Sequence, residues 1–455
     1  MAPTFNLQGS LTGSPTSLAT VLISITAVLW IFQKLYRAIT SPLRTLPGPF
    51  WSHFTHWPIK LASIRGQRIH YIHALHQRYG PIVRITPYEV NVSDAEAVRA
   101  IHKPGSGFNK APWYKKFVSG GAAGVFDMDD PKEHAARRRL FARAFSKSEI
   151  RARWEGMVRE KVELAKNEYI HVLESAMMGA GIRAELPLVA AIGRMIPHPT
   201  FQNTFNANDR LLSYGTRAVE SAKAQGTGQG ASIFAQLDPD EQKKTAFPLT
   251  DFDIRNEAGN FIVAGADTTA ISMTYLTYAV LACAELRSEL EAEVAGLPEG
   301  FGDRECEELP LLNAVVNETL RLYGAAPGSL PRTVPRGGTN LVGHYIPEGT
   351  VVTTQAWTLH RDEGLWPEAE RFNPRRWLSL PPNTSPSSTN FSPFGAGTRI
   401  CLGLHLALME LRLATAVFFR ELRGAKLADK TTPESMGVVN FFLIRPKDDR
   451  CDIEL

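Results

Sequence analysis

The sequence pattern predicts that helices predominate in the C-terminal two-thirds, with short β elements and one apolar N-terminal helix. Three observations carry that expectation. Long helical runs occupy Asp251 to Glu293, Leu311 to Tyr323 and Leu402 to Phe419. Alternating stretches are short and few: Ile82 to Ile85, Glu89 to Val92, Gly343 to Val352 and Val438 to Ile444. Met1 to Gln33 contains no Asp, Glu, Lys or Arg. A chain of 455 residues, 44% hydrophobic, supports a sizeable core, and a formal charge of +4 gives no reason to expect a nucleic-acid partner. Cys283, Cys306, Cys401 and Cys451 lie far apart and form no CxxC pair. Neither a zinc knuckle nor a disulfide scaffold is suggested, and a reducing compartment fits this usage.

The apolar core of the N-terminus, Leu18 to Phe32, reaches a span of about 20 residues with its uncharged flanks, enough to cross a bilayer. Lys34, Arg37 and Arg44 follow, so residues 1–45 read as a single-pass anchor with a basic stop-transfer flank. The positive-inside rule then puts residues 46–455 in the cytosol. The competing reading, a cleaved signal peptide, lacks a basic start and a clear cleavage site. Leu46-Pro47-Gly48-Pro49 reads as a stiff, non-helical hinge. Ile59 to Tyr79 reads as a helix weakened at Gly66, followed by two short strands joined at Pro87. Phe108 to Phe126, rich in glycine, aromatic and small residues, has no clear period.

Asp130-Pro131 starts a helix well. On it His134 and Arg138 stand i,i+4 and share a face, while the run Arg137-Arg138-Arg139 has the look of a solvated basic face. Ile150 to Ser175 reads as one continuous charged helix. Gly179 to Ala184 formally fits a dinucleotide fingerprint, but no strand precedes it. Asn206 to Lys223 reads as helix, and Gly226 to Gly230 as a flexible linker.

The long run from Asp251 has an apolar centre, Phe261 to Thr269, holding Asp267 and Thr268. An Asp-Thr pair in such a setting is costly unless it has a function. Thr268 can bond back to a carbonyl and open a groove. Gly265 lets a flat group approach, and a hydroxyl beside a carboxylate suits proton relay. Glu318 and Arg321 stand i,i+3 on the next helix and can pair. Then comes Phe394-Gly-Ala-Gly-Thr-Arg-Ile-Cys-Leu-Gly403, with one cysteine bracketed by glycines before a helical run. A thiolate is a strongly donating ligand that can hold a haem iron, and a helix N-terminus favours it. Gly395, Gly397 and Gly403 allow a tight turn and the approach of a flat ligand. Arg399 suits a carboxylate such as a haem propionate.

Phe-x-x-Gly-x-Arg-x-Cys-x-Gly at Phe394 to Gly403 resembles the haem-thiolate signature of the cytochrome P-450 monooxygenases. Ala264 to Thr269 resembles that family's oxygen-activation motif, and Glu318-x-x-Arg321 with Pro374-Arg375-Arg376-Trp377 its structural triad. The resemblance covers Pro47 to Leu455 and implies a helix-rich fold with small β-sheets around a buried haem b. It implies Cys401 as the axial thiolate and metal ligand, with Phe394, Gly395 and Gly403 shaping its loop. His134, Arg138, Arg332 and Arg399 are then the propionate ligands, Asp267 and Thr268 the proton-delivery pair, and Glu318, Arg321 and Arg376 scaffolding. The segment Phe108 to Phe126 is expected over the haem, and Asn440, Phe441 and Phe442 are candidates for the substrate pocket. The expected reaction is insertion of one atom of O2 into a small apolar substrate. No flavin or nicotinamide domain is visible, so an NADPH-dependent reductase in the endoplasmic-reticulum membrane is the expected electron donor. The anchor, hinge and His360-Arg361-Asp362 phrasing look like a microsomal fungal enzyme of secondary metabolism. The chain departs from the family around residues 160–200, where about two helices are too few. Two other readings stay open: a haem-thiolate isomerase or dehydratase needing no reductase, and a non-catalytic shortened remnant.

Overall fold

Glycines and prolines divide the chain into helices that are mostly short. The computed structural model describes residues 15–118, 123–163, 180–224, 233–236, 239–379 and 390–455. The helices are α1 (Pro15–Thr40), α2 (Trp57–Ile64), α3 (Arg68–Tyr79), α4 (Ala95–His102), α5 (Trp113–Phe117), α6 (Pro131–Ala142), α7 (Lys147–Arg153) and α8 (Glu155–Glu163). Then come α9 (Pro187–Met195), α10 (Pro199–Phe205), α11 (Ala207–Ala224), α12 (Pro239–Lys244), α13 (Asp251–Leu281) and α14 (Ala284–Ala295). The last are α15 (Asp303–Glu307), α16 (Pro310–Tyr323), α17 (Ala356–Leu359), α18 (Arg375–Leu378) and α19 (Leu404–Glu421). Caps agree with the sequence: the Asp130 side chain accepts from Lys132 and Glu133 N–H at the start of α6, and Thr250 with Asp253 forms a capping box on α13.

The main core joins α13, α14, α16 and α19. Leu276, Val280, Leu290, Val315, Leu413 and Phe419 meet there, each 1% exposed or less. Burial of each such side chain contributes about 1.5–3 kcal/mol. A five-stranded sheet has the order β1-β2-β7-β4-β3. In it β1 (Ile82–Thr86) and β2 (Glu89–Val92) are antiparallel, β2 runs parallel to β7 (Val351–Thr354), and β4 (Arg332–Thr333) joins β7 to β3 (Asn109–Lys110).

Tertiary packing corrects several expectations. Residues 59–79 are two helices, because Gly66 turns at φ +68° where a Cβ would stand 3.0 Å from the Phe441 ring. The continuous helix expected from Ile150 breaks at Trp154, which is buried in the main core, and residues 164–175 of that expectation lie outside the described residues. The long run ends at Leu281, and α14 leaves α13 at 112°. The hairpin expected over 343–352 is instead β5 (Thr339–Leu341) with β6 (His344–Ile346), while Val351 to Thr354 crosses to the main sheet as β7. The strand-like stretch from Val438 is a hairpin, β8 (Val438–Asn440) with β9 (Ile444–Pro446). The loops at 226–230 and 381–389 and Gly179 lie outside the described residues.

The stretch after α1 is docked where a hinge was expected. Leu43 and Leu46 are buried, and Pro47 O accepts the Arg84 N–H at 2.8 Å. The Arg84 side chain, 1% exposed, donates to Leu43 O at 3.1 Å and meets His53 Nδ1 at 2.9 Å. At Gly48 a Cβ would stand 2.5 Å from Arg84 O, so only glycine lets the two backbones approach. A buried guanidinium must have its donors met, and here that need ties the segment 43–53 to β1.

Candidate active site

The thiol sits between two helices that run alongside one another. Leu402 and Phe261 of α13 pack against the same cluster of Val125, Phe141 and Phe145, and Thr269 Oγ1 donates to Glu410 Oε2 of α19 at 2.9 Å. Cys401 precedes the first turn of α19 and donates its N–H to Phe394 O at 2.9 Å, closing the loop. Gly395 (φ +73°) and Gly397 (φ +66°) supply the turn, and at Gly397 a Cβ would collide with His102 O. Gly403 does not share that role, since at φ −84° it caps α19. Burial of its surroundings pushes the Cys401 thiol up, while the Gly403 N–H and Arg138 oppose that shift.

Ala264, Gly265 and Ala266 are exposed and Asp267 to Thr269 half-buried, where a buried setting was expected. Nothing lies within 4 Å of a Cβ placed on Gly265, so this face of α13 is open among the described residues. Thr268 Oγ1 donates to Ala264 O at 2.8 Å. Glu410 is pushed up to about 7 by burial against the Thr269 hydroxyl that opposes it.

Basic groups from four separate segments converge at one edge. Arg332 on β4 stands across the sheet from Lys110 on β3. His134, buried, is pushed down to about 3 by burial and by Arg399, Lys110, Arg138 and Arg332. Arg399, lowered to about 10 by burial and Arg332, donates to Met128 O at 2.8 Å and Asp129 O at 3.3 Å. Arg332 donates to the Tyr114 hydroxyl at 3.2 Å. Lys110 is held well below the usual lysine range by burial, Arg332 and Arg399, and donates to Phe126 O. Lys110 and Tyr114 were missed in the sequence. The stretch holds three lysines, Lys110, Lys115 and Lys116, and nothing local sets the first apart. Arg137, expected in a solvated run, is buried and faces Asp253 and Glu257.

This donor set fits haem b. Like charges gathered in a low-dielectric site repel, and Arg138 has no carboxylate partner among the described residues. Two carboxylates on one flat group offset that repulsion, and a soft thiol and a side-chain-free helix face lie beside it.

Of the three candidates near the C-terminus only Phe442 joins an aromatic cluster, 4.5 Å from Phe117 and 5.9 Å from Phe126 between ring centroids. It does so at φ +120°, a strained conformation for an aromatic residue. Phe441 turns towards Gly66 and Arg445, and the Asn440 amide donates to Phe442 O at 3.0 Å. Residues 119–122 of the loop expected above the haem lie outside the described residues.

The Glu318 carboxylate is buried and fully used. Arg321 Nη2 (2.8 Å) and Nε (2.9 Å), Arg376 Nε (3.1 Å), Trp377 Nε1 (2.9 Å) and Asn373 N–H (2.8 Å) all donate to it. Arg321 in turn donates to His360 O at 2.6 Å and Ala369 O at 2.7 Å.

Comparison with known proteins agrees with this architecture. The cytochrome P450 family model matches residues 166–450. The chain is 37% identical to cytochrome P450 monooxygenase cypX of Dothistroma septosporum over 498 aligned positions, covering 97% of each protein. It is 39% identical to cytochrome P450 monooxygenase stcB of Emericella nidulans, covering 93% of this chain and 91% of the relative. The methylphloroacetophenone oxidase of Cladonia uncialis is 31% identical over 74% of this chain and 86% of its own. The crystal structure of the cytochrome P450DA heme domain superposes with a TM-score of 0.66 at 19% identity, covering 85% of this chain and 92% of that one, which speaks to fold. The chain belongs to the cytochrome P450 family, helix-rich monooxygenases that bind haem through a cysteine thiolate.

Proposed function

We propose that this chain is a membrane-anchored monooxygenase that hydroxylates a small apolar intermediate of fungal secondary metabolism. Its electrons come from an NADPH-dependent reductase. The observation that carries the reading is the gathering of His134, Arg138, Arg332 and Arg399 beside the Cys401 thiol, with α13 open at Gly265. When bound, haem b supplies the iron centre at which O2 and two electrons are used, one oxygen atom entering the substrate and the other leaving as water.

The chain's own groups have the following parts. Cys401 holds the iron, and its loop is shaped by Phe394, Gly395 and Gly397, with Gly403 directing its N–H at the sulfur. His134, Arg138, Arg332 and Arg399, joined by Lys110, hold the two carboxylates. Thr268 spends its own proton on Ala264 O, leaving its oxygen free to accept from water. Asp267 beside it draws protons from solvent, so the pair delivers the two protons the reaction consumes. Glu318, Arg321 and Arg376 hold the segment leading to the thiol loop. The aromatic cluster of Phe117, Phe126 and Phe442 favours an apolar, ring-bearing substrate.

The anchor reading rests on α1, where Leu18 to Thr40 is long and apolar enough to cross a membrane and its most apolar window is unburied. Lys34 and Arg37 at its end support a cytosolic orientation of residues 46–455, which fits anchoring on the endoplasmic reticulum. Exposed Phe50, Trp51 and Trp57 follow directly and suit a membrane interface. The anchor is residues 1–45 and the catalytic domain 46–455. The alignment of 498 positions against 455 residues leaves the relative a surplus of at least 43, which supports a shortened catalytic domain.

The test is reconstitution in vesicles with reductase, NADPH and candidate apolar aromatics, methylphloroacetophenone among them. Product is expected only with both present. Thr268→Ala is expected to keep NADPH oxidation but to lower product per NADPH by roughly 10²-fold, with peroxide released instead. Product formed without NADPH and reductase assigns the isomerase or dehydratase reading and overturns this one.

A further inference from the structure

A second set of charged groups lies buried behind the basic edge and has no part in the chemistry above. Glu257, on the first half of α13, is fully buried. Its Oε1 accepts the Val125 N–H at 2.8 Å. Arg137 Nη1 stands 3.6 Å from that same oxygen and 3.3 Å from Asp253 Oδ1. Glu257 Oε2, Asn260 Nδ2 and Arg137 Nε are buried without hydrogen-bond partners. Gly124 passes so close that a Cβ there would stand 2.5 Å from Asn260 Nδ2 and 3.1 Å from Glu257 Oε2.

The backbone held by Glu257 is the strap of residues 123–130. The Gly124 N–H donates to Asp127 at 2.7 Å, which closes the strap on itself. Its far side carries the carbonyls on which two of the basic groups rest. Lys110 donates to Phe126 O, and Arg399 to Met128 O and Asp129 O. Its last residue, Asp130, caps α6, the helix that bears His134 and Arg138. One carboxyl thus stands behind the seats of four basic groups.

We propose that Glu257 is the positioning residue of this strap: through Val125 and Arg137 it sets the placement of Lys110, Arg399 and the start of α6, and it does so as the neutral acid. The inference rests on the reading of those basic groups as haem-carboxylate ligands. Arg137 alone answers two carboxyls here, Asp253 and Glu257, and Asp127 on the strap adds a third acid nearby. A buried site with three acids and one guanidinium within reach disfavours ionising all of them. Burial pushes up both Glu257, to about 7, and Asp127; at Glu257 the Val125 N–H, Arg137 and the Asn260 amide oppose the shift and Asp127 adds to it. Asp253 is held low by Thr250 and Arg137, so it takes the guanidinium.

The direction of the pH effect follows. Glu257 has an ordinary value of 4.5 and a folded value of about 7. Between those values the unfolded chain releases the proton and the folded chain keeps it. Stability from this group is present below pH 4.5 and is lost as pH rises to about 7. Above that, ionised Glu257 draws water into the contact and the strap loosens.

Hydrogen exchange of the Val125 amide in the haem-loaded full chain tests this, with haem loss to an apo-globin acceptor as second readout. Corrected for intrinsic rate, Val125 exchange in the native protein is expected to be about tenfold faster at pH 8 than at pH 6, following the ionised fraction. Haem loss is expected to quicken in parallel. Glu257→Gln keeps the acceptor without the proton, so both rates are expected to stay flat across that range. The infrared carbonyl band that the native protein shows at pH 6 and Glu257→Gln lacks is expected to vanish from the native protein at pH 8, with Glu410, also near 7, contributing equally to both proteins. Val125 protection equal at pH 6 and 8, or a carboxyl band at pH 6 that is unchanged in Glu257→Gln, overturns the proposal without touching the thiolate reading. Val125 exchange that changes while haem loss does not overturns the link to the cofactor. A failure of the thiolate reading shows separately, as a carbon-monoxide spectrum lacking the red-shifted band.

Discussion

Cys401→Ser is expected to abolish the red-shifted Soret band of the reduced carbon-monoxide complex and with it all oxygenation. The physical reason lies in the donor. Serine keeps the shape of the side chain, and the bond from the residue-401 N–H to Phe394 O does not depend on it. The loop therefore keeps its turn, and the melting temperature is expected to move by little. What is lost is charge. A thiol ionises within reach of neutral pH when a cation and an N–H are aimed at it, whereas an alcohol stays neutral. The Gly403 N–H and Arg138 are the groups placed to favour the anion at this position. Neutral oxygen donates weakly to iron, so haem held in the variant lacks the electron push that favours O–O cleavage. The measurement is the difference spectrum with haem content and melting recorded on the same sample. A retained red-shifted band would show that another residue holds the iron.

Glu318→Ala is expected to destabilise the folded chain by about 3–5 kcal/mol, because it leaves Arg321 buried and without its carboxylate. Arg321 is 1% exposed and Glu318 is fully buried, so solvent does not screen the pair. The variant also strands the Trp377 and Asn373 donors, which bond to the same carboxylate. For a chain of 455 residues that loss corresponds to a fall in melting temperature of about 3–5 °C. Haem retention is expected to fall in parallel, since Phe391, packed against Trp377 at 4.8 Å, leads into the thiol loop. Glu318→Gln keeps the volume but points an amide donor at a guanidinium, and is expected to be nearly as harmful. A loss under about 1 kcal/mol in thermal or urea melting would mean that the triad is a replaceable surface-type pair.

Legibility in the sequence followed the range of the interaction. The pairing of Glu318 with Arg321 was readable because i,i+3 spacing on a helix puts two side chains on one face. The back-bond of Thr268 to Ala264 O was readable for the same reason. The turn glycines Gly395 and Gly397 were readable from composition, whereas Gly403 was misjudged, because whether a glycine needs positive φ depends on where the next helix begins. Helix ends were least legible. Gly66 could be suspected, but the break at Trp154 and the 112° bend after Leu281 have no local breaker. They follow from burying Trp154 and from returning α14 onto the core formed with α16 and α19. Lys110 was illegible because its strand is two residues long and its partner, Arg332, lies far along the chain.

The sequence by itself determined the chemistry that local spacing can write: a thiol in a glycine turn before a helix, an Asp-Thr pair within a long helix, a Glu-x-x-Arg pair and an apolar first segment. Tertiary structure alone decided which basic groups meet at the cofactor edge, that Arg137 turns inward to Asp253 and Glu257, and that the segment after α1 is clamped by Arg84. These contacts join residues from about 40 to more than 200 positions apart. They are selected by the need to satisfy buried charge and buried donors, a condition that exists only once the core has closed around them.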